Sequence, residues 1–519
     1  MNSFLQGLDE LAGTGHENRI ARWLRRAAFV FLVLMLVSAP HSIAATQTAW
    51  ITGMFLWLVS LIFKPRPRFR ITLLDGALWA FFFWSVVTSI FSYDPATSVD
   101  MLRGVAIFLI FYFVVYNLRS LRAVYFAAFT LIISCMVNVV LTPVQRVIGR
   151  GVAIHGIRPD SPLAKATIVE GDAILDVNGK KIRFPEDITS AIEQNEVAKI
   201  RAFRKDFDIR VEVKRAEMLP GETAMERLGF ESWTRNRSWR SSGFYGHYTT
   251  YAEVLQLIAS LTLGLLVAGF FAGRGRRANE IADSERGKRG VFVFLFIGVA
   301  GMCLALLLTV TRASQLAFLI SGFVIFAAGA SRKWLIAAVA VGLPLALAGL
   351  FILQQSRDVG FFDSKDLSTL YRVTMWRDGV RLWSENPRHI VLGVGMDSIK
   401  THWQEWNLFD KGHLPMGHFH STPVQLLVER GLPALLIWLT ILGIYARTLW
   451  KALKSQSTER SWISTGILLG CLGGAIGFFT SGIVHYNLGD QEVAMVFFIL
   501  MGFGSRIVES TLEPTFERG

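Results

Sequence analysis

The sequence is poor in charge. Only 18% of its 519 residues are Asp, Glu, Lys or Arg, against about 25% in soluble domains, while 52% are hydrophobic. Cysteine is scarcer still: Cys135, Cys303 and Cys471 are the full set, and each lies inside an apolar run. A soluble zinc site is thereby excluded, and a disulfide framework is not implied. No internal repeat and no low-complexity tract is found. The pattern His-Glu-x-x-His is also missing: the one His-Glu pair, His16-Glu17, is followed by Asn-Arg-Ile with no second histidine. A zinc helix that needs two ligands on one face is therefore ruled out.

Long apolar runs are what the sequence has in their place. A bilayer is crossed by roughly 17 to 25 apolar residues, and twelve runs of about that length are found, near 24–44, 47–63, 71–91, 103–118, 123–143, 250–272, 291–311, 313–330, 334–354, 423–446, 461–484 and 490–508. Backbone amides cannot go unpaired in lipid, so these runs predict helices. The charge that remains is basic, 53 Lys and Arg against 40 acids. It gathers at Arg22–Arg26, Lys64–Arg70, Arg119–Arg122, Gly273–Arg277, Ser331–Lys333 and Arg447–Lys454. With twelve spans and a cytoplasmic N-terminus, every cluster falls on the cytoplasmic side. The basic balance thus reports topology, and nucleic acid is not expected as a partner. The polar stretch Met1–Trp23 ahead of the first span argues against a cleaved signal.

Two long segments fall on the outer face. In the first, β-rich runs such as "AILDVNG" and "IRVEVKR" alternate with turns around one helical stretch, "PEDITSAIE". The set Ser161-Pro162-Leu163-Ala164, Gly171-Asp172 and Asn178-Gly179 resembles a bacterial PDZ domain, with Ala166-Thr167-Ile168 standing where that family has Ala-Gly-Leu. The resemblance implies a peptide tail bound by strand addition, at Gly149, Gly151, Val152, Ala153 and Ile154; the alternative is a purely structural insert. The second segment, 355–422, holds His389, His402, His413, His418 and His420, five of the ten histidines. "YRVTMWRDGVRLW" has helical spacing with Pro387 as its stop, and Gly393–Gly395 reads as a turn.

"RSSGFYGHYTTYAE", "TRASQLAFLISG", "YRVTMWRDGV" with "ENP" and "LGVG", and "HFHSTPVQLLVERGLPALL" together resemble the O-antigen ligase and polymerase superfamily. That resemblance implies transfer of a glycan from a polyprenyl pyrophosphate carrier to a hydroxyl, without a metal or other cofactor. It assigns His420 as the base that takes the acceptor's proton, with His418 orienting it or contacting phosphate. Ser421 stands where the family often has asparagine. Arginine suits pyrophosphate because it stays charged and its fork matches phosphate oxygens. Arg312 and Arg372 are the catalytic candidates, and Arg240 and Arg377 are assigned with His418 to pyrophosphate or glycan. Arg312 has an alternative role as an interfacial anchor, and Arg372 as part of a solvated helix face.

The fold class expected is an all-α polytopic membrane protein of about twelve transmembrane helices with an inserted periplasmic α+β PDZ-like domain. The expected organisation is a five-span region (1–143), the PDZ-like domain (144–218), a periplasmic connector (219–249), a four-span region (250–354), a periplasmic catalytic loop (355–422) and a three-span region (423–519). The trytophan- and arginine-rich connector is expected to lie along the membrane surface. The expected location is a bacterial inner membrane with both termini cytoplasmic. The partners are the lipid-linked glycan, an acceptor that is lipid A-core, glycan or protein, the bilayer, and a peptide tail at the PDZ-like domain. A polymerase, a protein O-oligosaccharyltransferase, and a non-catalytic transporter or PDZ scaffold are the competing functions. An intramembrane metalloprotease with a PDZ domain, suggested by "LLDG" at Leu73–Gly76, fails on the missing zinc motif.

Overall fold

The computed structural model describes residues 2–14, 18–64, 71–204, 207–237, 239–272, 284–355, 367–414, 417–455 and 460–512. Most of the basic cluster Lys64–Arg70 and all of Gly273–Arg277 lie outside them. The chain forms two compact units, one made of Met1–Asn138 with Phe244–Gly519 and the other of Val139–Gly243.

The larger unit is helical. Its main helices are α1 (Arg19–Ser38), α2 (Ile43–Ser60), α3 (Asp75–Ile90), α4 (Pro95–Asn117, with a 3-10 turn at Ala106–Phe108) and α5 (Leu121–Ile148, which runs on into the smaller unit). After the smaller unit come α6 (Tyr248–Ala272), α7 (Ser284–Thr309), α8 (Arg312–Gly329), α9 (Arg332–Gln355), α10 (Leu367–Ser384), α11 (Thr422–Lys454), α12 (Trp462–Gly482) and α13 (Gln491–Leu512). Helices stand at all twelve expected places. Among the described residues nine are long and apolar enough to cross a membrane, so the chain is a polytopic membrane protein. The other three differ for physical reasons. α1 carries Arg19, Arg22, Arg25 and Arg26 in its first turns. α3 has 16 residues, about 24 Å, against a hydrocarbon core of about 30 Å. Part of α9 has side chains outside the described set.

Small residues set the close packing of α6 on α12. A Cβ at Gly470 would lie 2.5 Å from Leu261 Cα, and one at Gly264 would lie 2.3 Å from the Gly470 nitrogen. Such contact between backbones is how helices associate in lipid, where burial of apolar surface gives little drive. α11 is not continuous: Gly431 has φ 73° and ψ 177°, which splits it into 422–430 and 432–454. The turn Gly393–Gly395 explains how the break is tolerated. The Val394 and Gly395 amides donate to the carbonyls of Val428 (2.8 Å) and Glu429 (2.9 Å), and Trp84 Nε1 donates to the Arg430 carbonyl (2.8 Å). Carbonyls that lose their helical partners are thus satisfied.

The smaller unit is a six-stranded antiparallel sheet with short helices. Its strands are β1 (Arg150–Ile157), β2 (Ala173–Val177), β3 (Lys180–Lys181), β4 (Val197–Arg204), β5 (Phe207–Lys214) and β6 (Phe230–Asn236). The order is β5-β4-β2-β1-β6, with β3 hairpinned onto β2. That hairpin turns on Asn178 and Gly179, both at positive φ, as the Asn-Gly pair requires. Val152, Ile154, Leu163, Ile174, Val177, Ile188, Ile192 and Leu228 build its core. Thr167, where the resemblance expects glycine, sits at φ 67°, an uncommon state for a β-branched residue. Arg204 holds it there, donating Nη2 to the Thr167 carbonyl (2.5 Å) and pairing with Asp172 (2.6 Å).

Two expectations change here. The stretch 219–249 does not run as a free connector. Its strand β6 pairs with β1 from Arg150↔Asn236 to Ile157↔Phe230, Trp239 is buried with Ala153, Leu175 and Phe203, and Trp233 packs on the sheet's core. Of the tryptophans read as membrane anchors, Trp239 is a core residue of this unit and Trp233 lies partly buried on its sheet. The peptide edge assigned to Gly149, Gly151, Val152, Ala153 and Ile154 is also overturned. β1 is hydrogen-bonded to β2 on one side and β6 on the other, so no strand can add to it. Val152 and Ile154 are fully buried.

Candidate active site

The histidine loop is built first by its neighbours. Ser421 caps α11, its side chain accepting from the Val424 amide, so it does the work of a helix cap. Phe419 is fully buried. Its amide donates to Gln425 Oε1 (2.8 Å) and its carbonyl accepts from Trp376 Nε1 of α10 (2.9 Å). This fixes the rings on either side of it. His420 is held at φ 47°, a sparsely populated state that costs energy and is found at sites the surroundings over-determine. The His420 amide donates to His418 Nδ1 (3.1 Å), so a neutral His418 carries its proton on Nε2. The two ring centres are 4.1 Å apart.

These rings line a cavity of about 790 Å³ within the larger unit. Its polar lining includes His247, His418, His420, His485, Arg372, Lys400 and Asp490. Its apolar lining comes from membrane helices, with Leu78 and Phe81 of α3, Val105 and Phe108 of α4, Trp438 and Ile441 of α11, and Phe498 of α13. Burial pushes His420 down to about 3, and the nearby His418, Arg372, His485 and His247 push the same way. His418 is pushed down to about 4 by burial, then by Lys400, His485 and His247. Both rings are therefore neutral at neutral pH and able to accept a proton or donate a hydrogen bond. Burial raises the Asp490 carboxyl well above the usual range, opposed by the hydroxyl of Thr250, which donates to it (2.5 Å).

Of the residues singled out from sequence, Arg372, His418 and His420 share the cavity. Arg312 opens α8 and is not among the lining residues. Arg377 is exposed on α10, five residues from Arg372 and so on another face. Arg240 falls in the smaller unit. Among the remaining loop histidines, buried His389 is fixed by the Leu382 carbonyl (2.8 Å) and the Tyr93 hydroxyl (2.9 Å). His402 pairs with Glu405 (3.0 Å) and His413 with the Asp410 carbonyl (2.6 Å).

Sequence reasoning missed other polar residues of the lining. His485 Nδ1 meets Glu253 Oε1 at 3.1 Å, and both side chains are buried. A carboxyl group in that place orients the imidazole. His247 stacks on Tyr248, ring centres 4.4 Å apart. A signal was present: both missed histidines stand in a His-Tyr pair at the lip of a span, His247-Tyr248 and His485-Tyr486.

Residues 297–439 match the O-antigen ligase family model. The matched stretch contains Arg312, Arg372, His418 and His420, and it ends within the second half of α11. Glu253 and His485 lie outside it. The chain is also 35% identical over 65 residues to the magnetosome formation protease MamE of Paramagnetospirillum magneticum (strain ATCC 700264 / AMB-1). That likeness takes in 12% of this chain and 9% of that protein's length.

Proposed function

We propose that this protein transfers a glycan from a polyprenyl pyrophosphate carrier to a hydroxyl acceptor. One observation carries the reading. A single cavity is lined both by a set of histidines with Arg372 and by apolar side chains of membrane helices, which suits a ligand with a polar head and a hydrocarbon tail. The family match over 297–439 supports glycan transfer of the O-antigen ligase or polymerase type. In this scheme the acceptor oxygen bonds to the anomeric carbon while the bond from that carbon to phosphate oxygen breaks. The electron pair leaves on pyrophosphate, and the hydroxyl proton passes to His420. Arg372 stabilises the charge that develops on the leaving group. The protein lies in a bacterial inner membrane, termini in the cytoplasm, cavity facing the periplasm.

The test is purified protein given a lipid-linked glycan with lipid A-core, a second lipid-linked glycan, or a protein in turn. Consumption of donor with one acceptor names the class among ligase, polymerase and protein glycosylation. No consumption with any acceptor removes the transferase reading and leaves a transporter or scaffold. Arg372→Ala is expected to slow transfer by about a hundredfold or more. Arg372→Lys should stay impaired, because it keeps the charge but lacks the fork; full activity in the lysine variant would sink the clamp.

The smaller unit is read as a PDZ-like module that recruits a partner. Its outer strand on that side of the sheet is β6, where Trp233, Arg235 and half-exposed Phe184 come together. An extended peptide would therefore add along β6. Since β6 pairs with β1, the unit must be removed whole. Deleting 149–237 with a flexible link is expected to leave transfer measurable. Deleting only 151–216 strands β6 as an unpaired edge and should lower the yield in membranes. Complete loss of transfer in a well-inserted 149–237 deletion would place the unit in the catalytic machinery.

A further inference from the structure

Arg430 is a buried guanidinium that nothing in the reaction scheme yet uses. It is the last residue of the first half of α11, only 4% exposed, and it lines the cavity. Its contacts are neutral. Nη1 donates to Ser85 Oγ at 3.3 Å, Nη2 to the Tyr486 hydroxyl at 3.4 Å, and its face lies over the Phe81 ring at 5.3 Å. Nε is buried and makes no hydrogen bond among the described residues. The neighbouring carboxylate is engaged elsewhere: Glu429 Oε1 accepts from Gln425 Nε2 (2.9 Å) and from the Asp397 amide (2.8 Å). Two other cations of the cavity already have acids, Arg103 with Asp100 (2.9 Å) and Lys400 with Asp397 (2.8 Å). A buried charge whose direct contacts are hydroxyls and a ring, with Glu429 acting on it only through space, is costly, and such a residue inside a membrane protein marks an anion site or a transport path.

Position says which anion. The half of α11 before Arg430 starts beside His420, and the half after it supplies apolar Trp438 and Ile441 to the cavity. Along α11, Arg430 therefore stands between the histidines and the apolar Trp438 and Ile441, all of which line the cavity. In a lipid-linked glycan the group between sugar and hydrocarbon is the pyrophosphate. We infer that Arg430 is a pyrophosphate-binding arginine at this position, acting with Arg372 from α10. This rests on the donor proposed above. The break at Gly431 belongs to the device: it ends the first half-helix inside the cavity, as discontinuous membrane helices do at substrate sites.

The test measures binding by the full detergent-solubilised chain, independently of transfer. The probes are geranylgeranyl pyrophosphate and geranylgeraniol, which share a tail and differ in the charged head. The unaltered protein is expected to prefer the pyrophosphate by at least about tenfold, the worth of one charge-assisted hydrogen bond. Arg430→Gln should reduce that preference to near parity, and Arg430→Lys should keep part of it. A glutamine variant with unchanged melting temperature and the full preference overturns the assignment. If that variant does not fold, the lysine variant decides: an undiminished preference overturns the fork contact, and a reduced one supports it. A starting protein that does not distinguish the two probes refutes the pyrophosphate donor itself, which is a different failure from that of Arg430.

Discussion

His420→Ala is expected to abolish glycan transfer while the protein still reaches the membrane and still binds the lipid-linked donor. The ring lines the cavity, and no buried apolar contact depends on it, since Phe419 next to it carries the packing. The acceptor then has no base to take its proton. The pH dependence gives the finer test. With the site empty, burial and the neighbouring cations hold His420 at about 3, so the neutral form is kept far below the range where an ordinary histidine titrates. Transfer at limiting donor should stay level down to pH 5, where a histidine with the usual pKa of about 6.5 would already have lost about thirtyfold. Bound pyrophosphate places negative charge among those cations and raises the pKa. The acid limb at saturating donor is therefore expected at higher pH than the limb at limiting donor. Measured transfer rates at both donor levels decide it; near-normal transfer by His420→Ala removes the role. The same shift bears on stability. A histidine whose pKa is lowered by folding binds its proton more readily unfolded, so stability is lost as pH falls from about 6.5 toward the folded value.

Gly431→Ala should leave little folded protein in the membrane. Its φ of 73° and ψ of 177° fall in a region open almost only to glycine, which costs other residues about 1–3 kcal/mol. Space is the larger obstacle. A Cβ there would lie 2.0 Å from the Val391 carbonyl oxygen and 2.4 Å from its carbon, and backbone cannot turn aside as a flexible side chain can. Gly393 faces the same crowding from the other side, 2.4 Å from the Glu429 carbonyl carbon. Gly443, farther along α11, has nothing within 4 Å of a Cβ, so Gly443→Ala should be neutral or stabilising by up to about 1 kcal/mol. Yield and melting temperature of the two variants in detergent make the comparison. Equal behaviour would mean that the break in α11 does not depend on glycine.

Part of the candidate site was legible in the sequence because Arg372, His418 and His420 belong to one outer segment whose order and spacing are local. Glu253, His485 and Arg430 were not legible in that way. Glu253 and His485 stand near the end of a membrane run, where a polar residue reads equally well as an interface residue, and Arg430 lies within a run whose break at Gly431 is not legible in sequence. Their shared cavity arises only when α6, α11 and the loop before α13 converge. Arg312 and Arg240 show the reverse: a well-placed guanidinium in sequence need not be among the residues that line this cavity. Arg377 lies on α10 at a spacing that turns it away from Arg372.

Run length, composition and local turn residues by themselves determined the membrane character, the places of the helices and the turn at Gly393–Gly395, because each depends on a few neighbouring residues. Only the tertiary structure decided that β6 returns to cover β1, that α11 breaks at Gly431, and that Arg430 and not Arg312 lies on the cavity. The sheet edge that remains open, the carbonyls available to a broken helix and the neighbours of a buried charge are all set by contacts between residues far apart in the chain, about which local periodicity carries no information.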